Sequence, residues 1–144
     1  IAIEKRIQSY KVSNYVSQVS TIYEVRKKIV QIQRQLGAKK GIVMEGRDIG
    51  SVVFPEAELK FFVTADINIR VNRRFKELIN KNDVITKKAV LENLEKRDYL
   101  DKNRKNSPLI KAKDAILIDN SNLNIKQQIK IIINYLKKIS LKSW

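Results

Sequence analysis

The chain has 144 residues, 43 % of them hydrophobic, which is enough for one domain with a modest core and argues against disorder throughout. Thirty basic residues against fifteen acidic ones give a net charge of +15, so the surface attracts polyanions: nucleotides, nucleic acid or an anionic membrane face. With no cysteine and no histidine, disulfides, thiolate metal sites and imidazole bases are excluded, and any chemistry must run on carboxylates and arginines.

The first residue is isoleucine rather than methionine, which raises the expectation of further sequence upstream. Ile1 to Ser20 lacks the apolar centre and cleavage site of a signal peptide, and no long uncharged apolar span follows, so a cytoplasmic protein is expected. Ser9 to Leu36 reads as helical, capped by Ser13 or Ser17. Ile22, Val25, Ile29, Ile32 and Leu36 recur at three- and four-residue steps, and Arg26, Lys27, Lys28 and Arg34 lie on the wetter side. Gly37 ends it.

Gly41 to Pro55, GIVMEGRDIGSVVFP, is the most informative stretch. Ile42, Val43 and Met44 form a short apolar run of the kind a strand covered on both faces shows, and Val52, Val53 and Phe54 resume it before Pro55. Between them Gly46 and Gly50 are expected to bend the backbone around Arg47 and Asp48. Beyond the carboxyl end of a strand is where ligands bind in open α/β sheets. A guanidinium there suits a pair of phosphate oxygens, and a carboxylate suits an amine or a sugar hydroxyl, so a nucleotide is suggested. Spacing alone leaves open the alternative that both residues pair with neighbours in a loop. Gly41 to Asp48 also approaches the G-x-x-x-x-G-K-[ST] phosphate loop, but the intervening residues are strand formers and Asp48 would repel a phosphate.

Leu59 to Thr64 is the next strand. Asp66 caps a helix over 67–80 with Ile67, Val71, Phe75 and Leu78 on one face and Arg70, Arg73, Arg74 and Glu77 largely on the other. Asn80 to Asp83 is a polar break. Thr86 caps a basic helix through about Asn103, with Val90, Leu94 and Leu100 as its apolar contacts. Near its end Arg97, Asp101 and Arg104 are spaced i, i+4, i+7, which stacks cation, carboxylate and cation on one face. Such a row is either a surface ion ladder or, beside Arg47 and Asp48, a grip on a phosphorylated sugar. Ala115 to Ile118 is a third short strand, and 124–139 a terminal helix with Ile125, Ile129, Ile132, Ile133 and Leu136 on one side and a basic tail, Lys137 to Lys142. Strands alternating with helices predict an α/β fold with a parallel sheet.

Five blocks together resemble one family, the bacterial cytidylate kinases: SNYVSQVSTIYEVR (13–26), GIVMEGRDIGSVVFPEAELKFFVTA (41–65), RVNRRFKEL (70–78), LEKRDYLDKNRKNSPL (94–109) and DAILIDNSNLNI (114–125). The resemblance implies a three-layer nucleoside monophosphate kinase fold, of the phosphate-loop NTPase type, and transfer of the γ-phosphoryl group of ATP, carried with Mg²⁺, to CMP or dCMP. It implies that Ser17, Arg26 and Asp48 recognise cytosine, that Arg47 and Arg104 hold the acceptor phosphate, and that Arg97 and Asp101 meet the sugar and its phosphate. Arg73 and Arg74 would belong to a lid that supplies positive charge to the transferring group, with Arg104 the third catalytic arginine. Phosphoryl transfer depends on positioning and charge neutralisation, so arginines suffice without histidine. No resident metal site is implied, nor a specific nucleic-acid or membrane partner, and the complete enzyme would be a monomer. The implied division is 1–36 as the remainder of a CMP-binding insert with its following helix, 37–65 with 107–144 as the sheet domain, and 66–106 as the lid with its flanking helices.

Two features depart from that family. Its members begin with a strand and a phosphate loop, neither of which occurs here, so the chain resembles their C-terminal two-thirds and is expected to be inactive and poorly stable alone. Glu45 stands where members commonly carry Asp, which keeps the charge and lengthens its reach. A different reading of the +15 charge is a non-catalytic basic remnant that binds nucleotides or nucleic acid, although aromatic residues, at 7 %, supply no stacking platform. A third is pairing with a separate polypeptide that carries the first strand.

Overall fold

The structure, a computed structural model, describes residues 7, 9–81 and 84–140; the polar break at 80–83, the basic tail and the segment read for a leader therefore lie partly outside the described residues. In chain order the regular elements are α1 (Tyr10–Val19), α2 (Tyr23–Gly37), a π-helical turn (Ile49–Val53), β1 (Phe61–Thr64), α3 (Ile67–Ile79), α4 (Lys87–Asn103), β2 (Ile116–Asp119) and α5 (Ile125–Ser140). β1 and β2 pair in parallel, Phe61 opposite Ile116 and Thr64 opposite Asp119, so the chain is α/β with a small parallel sheet.

Helix starts follow their caps closely. The Asp66 carboxylate accepts from the amides of Asn68 and Ile69, and the Thr86 hydroxyl accepts from that of Ala89, so α3 and α4 begin where the sequence predicts. Asn124 and Gln127 exchange side-chain to amide hydrogen bonds of 2.8 and 2.9 Å, a reciprocal capping box at the start of α5. The single helix expected over 9–36 is instead two, because Ser20, Thr21 and Ile22 interrupt it. The Ser20 and Thr21 hydroxyls donate to the carbonyls of Ser17 and Gln18 and so compete with the helical ladder. The cap of α1 is Ser9, not Ser13 or Ser17; both of those are buried within the helix.

The strands expected on either side of Arg47 and Asp48 do not form. Residues 41–45 are irregular, with Val43 fully exposed, and Val52 and Val53 belong to the π-helical turn. A strand is held by its ladder, and among the described residues β1 and β2 pair only with each other, so Ile42 to Met44 has no partner. The tight bend also lies earlier than expected, with Lys40 and Gly41 at φ 56° and 65°. Gly50 has a different use: a Cβ there would sit 3.1 Å from the Lys60 stem, which packs across it.

The buried apolar core is helical. Val71 and Leu78 of α3 pack with Val90 and Leu94 of α4, and Tyr10, Ile67, Phe75, Ile85 and Leu91 close around them. α1 lies on α4 through its small buried face, Ser13 and Ser17, while the Tyr10 hydroxyl donates to the Ala89 carbonyl and Asn93 to Asn14. By contrast, α2 buries none of its residues, and Ile125, Ile129, Ile133 and Leu136 of α5 are exposed, so the amphipathic stripes predicted on both helices face solvent.

Candidate functional site: an arginine and aspartate cluster

Five segments meet at one point: the end of α1, α2, the turn before Ile49, α3 and the C-terminal end of α4. Asp48, at the start of the π-helical turn, accepts from Arg26 of α2 and lies 3.9 Å from the Arg104 guanidinium. Arg34 of α2 donates to the carbonyls of Val53 (3.1 Å) and Val52 (2.8 Å), and so pins the far end of the same turn. Asp48 is thereby held from both sides of its element.

α4 supplies the second set. Arg47 reaches Asp98 through Nη1 (3.2 Å) and Asp101 through Nε (3.3 Å), so residues read separately as strand-exit and helix-face clusters are in contact. Arg104 lies one residue past the helix, in extended backbone, rather than on its face. From there its Nε donates to the Ser107 carbonyl (2.6 Å), and its Nη1 donates to the Ser20 hydroxyl (3.0 Å) and to Asp101 (3.4 Å). Ser17, 3 % exposed, joins through its carbonyl, which accepts from the same Ser20 hydroxyl. Arg97 makes no ion pair within 4 Å among the described residues, although the charges of Arg47, Arg74, Asp98 and Asp101 all act on it.

Burial is the largest influence on three of these arginines. It pushes Arg26, Arg97 and Arg104 below the ordinary arginine value, with further lowering from neighbouring guanidiniums: Arg104 on Arg26, Arg47 and Arg74 on Arg97, and Arg47 on Arg104. All three stay charged at neutral pH. Each also carries one buried N–H without an acceptor among the described residues: Arg26 Nε, Arg97 Nε and Arg104 Nη2, the last of which has Asp48 only at 3.9 Å. Buried donors of this kind are costly unless something accepts from them.

Arg73 and Arg74 stand apart from one another. Arg73 is tied to Asn120 at the exit of β2, through the side-chain oxygen (2.7 Å) and the carbonyl (2.8 Å), whereas Arg74 pairs with Glu77 (2.8 Å). The α3 arginine that enters the cluster is Arg70, bound to Asp98 at 2.5 and 3.1 Å. Sequence reasoning placed Arg70 only on the polar face of its helix and did not single out Asp98, Ser20 or Arg34. Asp98 had a legible signal: it stands three residues before Asp101, so the two carboxylates share a face of α4. Arg34, which donates to the carbonyls of the turn, and Ser20, which accepts from Arg104, had none, since contacts between distant segments leave no local pattern.

Among the described residues no group of three or more Asp or Glu is arranged to hold a metal ion, and no helix is long and apolar enough to cross a membrane. A groove of about 710 Å³ runs beside the cluster between α2 and residues 106–107, with Tyr23, Lys27, Arg34 and Val52 in its lining; it shares Arg26 with the ion network.

The family described as Cytidylate kinase matches residues 1–138. Cytidylate kinases of Flavobacterium psychrophilum and Flavobacterium johnsoniae are 50 % and 48 % identical to the chain over 137 residues, covering 95 % of it and 61 % and 60 % of the relatives. That of Bacteroides thetaiotaomicron is 51 % identical over 128 residues, 89 % of this chain and 56 % of its own length. The chain thus spans about three fifths of the length of these curated relatives. It belongs to the cytidylate kinase family and has that family's nucleoside monophosphate kinase fold.

Proposed function

We propose that this chain carries the acceptor half of a cytidylate kinase, in which the phosphate of CMP or dCMP receives the γ-phosphoryl group of ATP to give the diphosphate and ADP. The observation that carries the reading is the set of three buried guanidinium N–H groups without acceptors among the described residues, on Arg26, Arg97 and Arg104, around a single charge network. The oxygens of a phosphorylated nucleoside are acceptors of the right charge for them.

In this reading Arg47 and Arg104 hold the acceptor phosphate, and Arg97 and Asp101 bind the sugar and its phosphate. Ser17, Arg26 and Asp48 read cytosine: a carboxylate accepts from its exocyclic amine and a guanidinium donates to its ring acceptors. These groups orient the acceptor phosphate so that one oxygen attacks the γ-phosphorus as the bond to the β-phosphate oxygen breaks, and they offset its negative charge. ATP supplies the phosphoryl group, with magnesium carried on its phosphates. No phosphate loop is present in the 144 residues, so their part on the donor side is confined to Arg73 and Arg74. We assign 66–106 as the lid. Support comes from the core that α3 and α4 share, which lets them move together, and from Arg73, whose bonds to Asn120 are exposed and exchangeable. The assignment puts the protein in the cytoplasm, with its nucleotide substrates.

Calorimetric titration of the chain with CMP, UMP and AMP tests the reading. CMP is expected to bind tightest. An equal response to all three overturns the base assignment, and a preference for oligonucleotide with steep salt dependence would instead support a polyanion-binding remnant.

A further inference from the structure

Asp98 bridges two arginines from different segments, Arg47 of the turn and Arg70 of α3. Its Oδ2 accepts from Arg70 Nη1 at 2.5 Å, and its Oδ1 accepts from Arg70 Nη2 at 3.1 Å and from Arg47 Nη1 at 3.2 Å. Residues 47, 70 and 98 come from the turn, α3 and α4, so one side chain fastens three pieces of the chain. Arg47 is also gripped at Nε by Asp101, one helical turn along α4. Its guanidinium plane is therefore fixed at two points by carboxylates on a rigid element. Without Asp98, Arg47 would keep a single anchor, and the like charge of Arg70 would drive the two apart.

The charge balance adds a second consideration. In the network five guanidiniums (Arg26, Arg47, Arg70, Arg97, Arg104) face three carboxylates (Asp48, Asp98, Asp101), an excess of two positive charges. A phosphate monoester carries about two negative charges at neutral pH. Asp98 keeps the arginines close together while leaving an excess that one such group would cancel.

We infer that Asp98 is a positioning residue for the acceptor phosphate: it holds Arg47 and Arg70 side by side, and so presents Arg47 to a phosphate monoester in a fixed orientation. The inference rests on the proposed acceptor function and adds a residue to it. Asp98 does not itself touch the nucleotide.

The test compares CMP with cytidine, which lacks the phosphate, in the unaltered chain and in Asp98→Asn, Asp98→Glu and Arg70→Lys. Asp98→Asn is expected to weaken CMP about tenfold and leave cytidine unchanged, since the loss falls on an oriented, charge-assisted contact. Asp98→Glu, which keeps the charge, should recover most of that loss. Combining Asp98→Asn with Arg70→Lys should weaken CMP no further than the stronger single change, because both act on one unit. Equal weakening of CMP and cytidine would mean a merely structural role and overturn the inference. So would CMP binding as tight as or tighter than in the unaltered chain, which would make Asp98 a competitor for the arginines. If circular dichroism shows Asp98→Asn unfolded, Arg70→Lys carries the same expectation and the same refutation. An unaltered chain that does not prefer CMP to cytidine overturns the functional reading itself, and this inference with it.

Discussion

The helical side of the molecule and its strand side are held together by different means. α3 and α4 bury Val71, Leu78, Val90 and Leu94 against each other, and the ends of these helices carry Arg70, Asp98, Asp101 and Arg104 into the site. On the strand side, Val63 of β1, Leu117 of β2, and Ile125 and Ile129 of α5 are exposed, and Ile42 to Met44 makes no ladder. The charged site therefore depends on a small apolar core behind it rather than on the sheet. Exposed apolar area of that kind marks a surface suited to being covered. The contrast predicts that the site and the sheet respond to different perturbations.

The largest effect should come from the core. Leu78 is 0 % exposed, and Leu78→Ala removes its contacts and leaves a cavity, at a cost of about 2–5 kcal/mol. Denaturant unfolding should show that loss, with CMP binding lost along with the fold. The comparable change at exposed Leu117, Leu117→Ala, should fall within about 0.5 kcal/mol. Equal costs at the two positions would erase the distinction between the sides. Next comes Arg104→Ala, which removes a guanidinium whose Nη2 lacks an acceptor. It should weaken CMP by about 1.5–3 kcal/mol more than it weakens cytidine, measured by titration of both. Similar losses for the two ligands would deny it a phosphate role.

A smaller effect concerns how α4 is started. Thr86→Ala deletes the hydroxyl that accepts from the Ala89 amide and should cost about 1 kcal/mol of stability. Hydrogen exchange in the first turn of α4 should rise more than in β1 and β2. A uniform rise would mean that the two sides open together.

How much of this was legible follows the same division. Helix boundaries set by local chemistry, such as Asp66 before α3 and Thr86 before α4, could be read directly, because a cap acts within three residues. The parallel pairing of β1 with β2 follows from alternation of strands and helices. The failures lie where structure depends on distant partners. Ile42 to Met44 has a strand's composition, but strands require neighbours, and none pairs with it among the described residues. The sequence singled out Arg47, Asp48, Arg97, Asp101 and Arg104, and four of them, all but Arg97, share ion pairs between the turn and the end of α4. Arg70 was obscured because a basic helix offers several arginines, and only the fold decides which of them meets a carboxylate.

The smallest effects are those of acid, and they separate the two sides through salt. Burial alone would raise the Asp98 carboxyl, but the Arg70 hydrogen bonds and the charges of Arg70 and Arg47 outweigh it and hold it below the usual aspartate range. On the strand side Asp114 is also lowered, chiefly by its hydrogen bond from Lys60 at 2.5 Å. A depressed carboxyl contributes stability that is complete above the unfolded value of about 3.9 and is lost as pH falls through the folded value. Both residues should therefore add to acid unfolding below about pH 4, and replacing either with Asn should flatten that limb of the curve. Asp98 is only 18 % exposed in the ion network, whereas Asp114 is 63 % exposed. Salt near 1 M shortens the screening length to about 3 Å, which weakens the attraction more at an exposed carboxylate such as Asp114, even with buried Lys60 as its partner, than at a covered one. Acid unfolding curves at low and high salt should then show the Asp114→Asn difference shrink more than the Asp98→Asn difference. If salt erased both equally, the network around Asp98 would behave as an ordinary surface pair, and the helical side would owe its order to the apolar core alone.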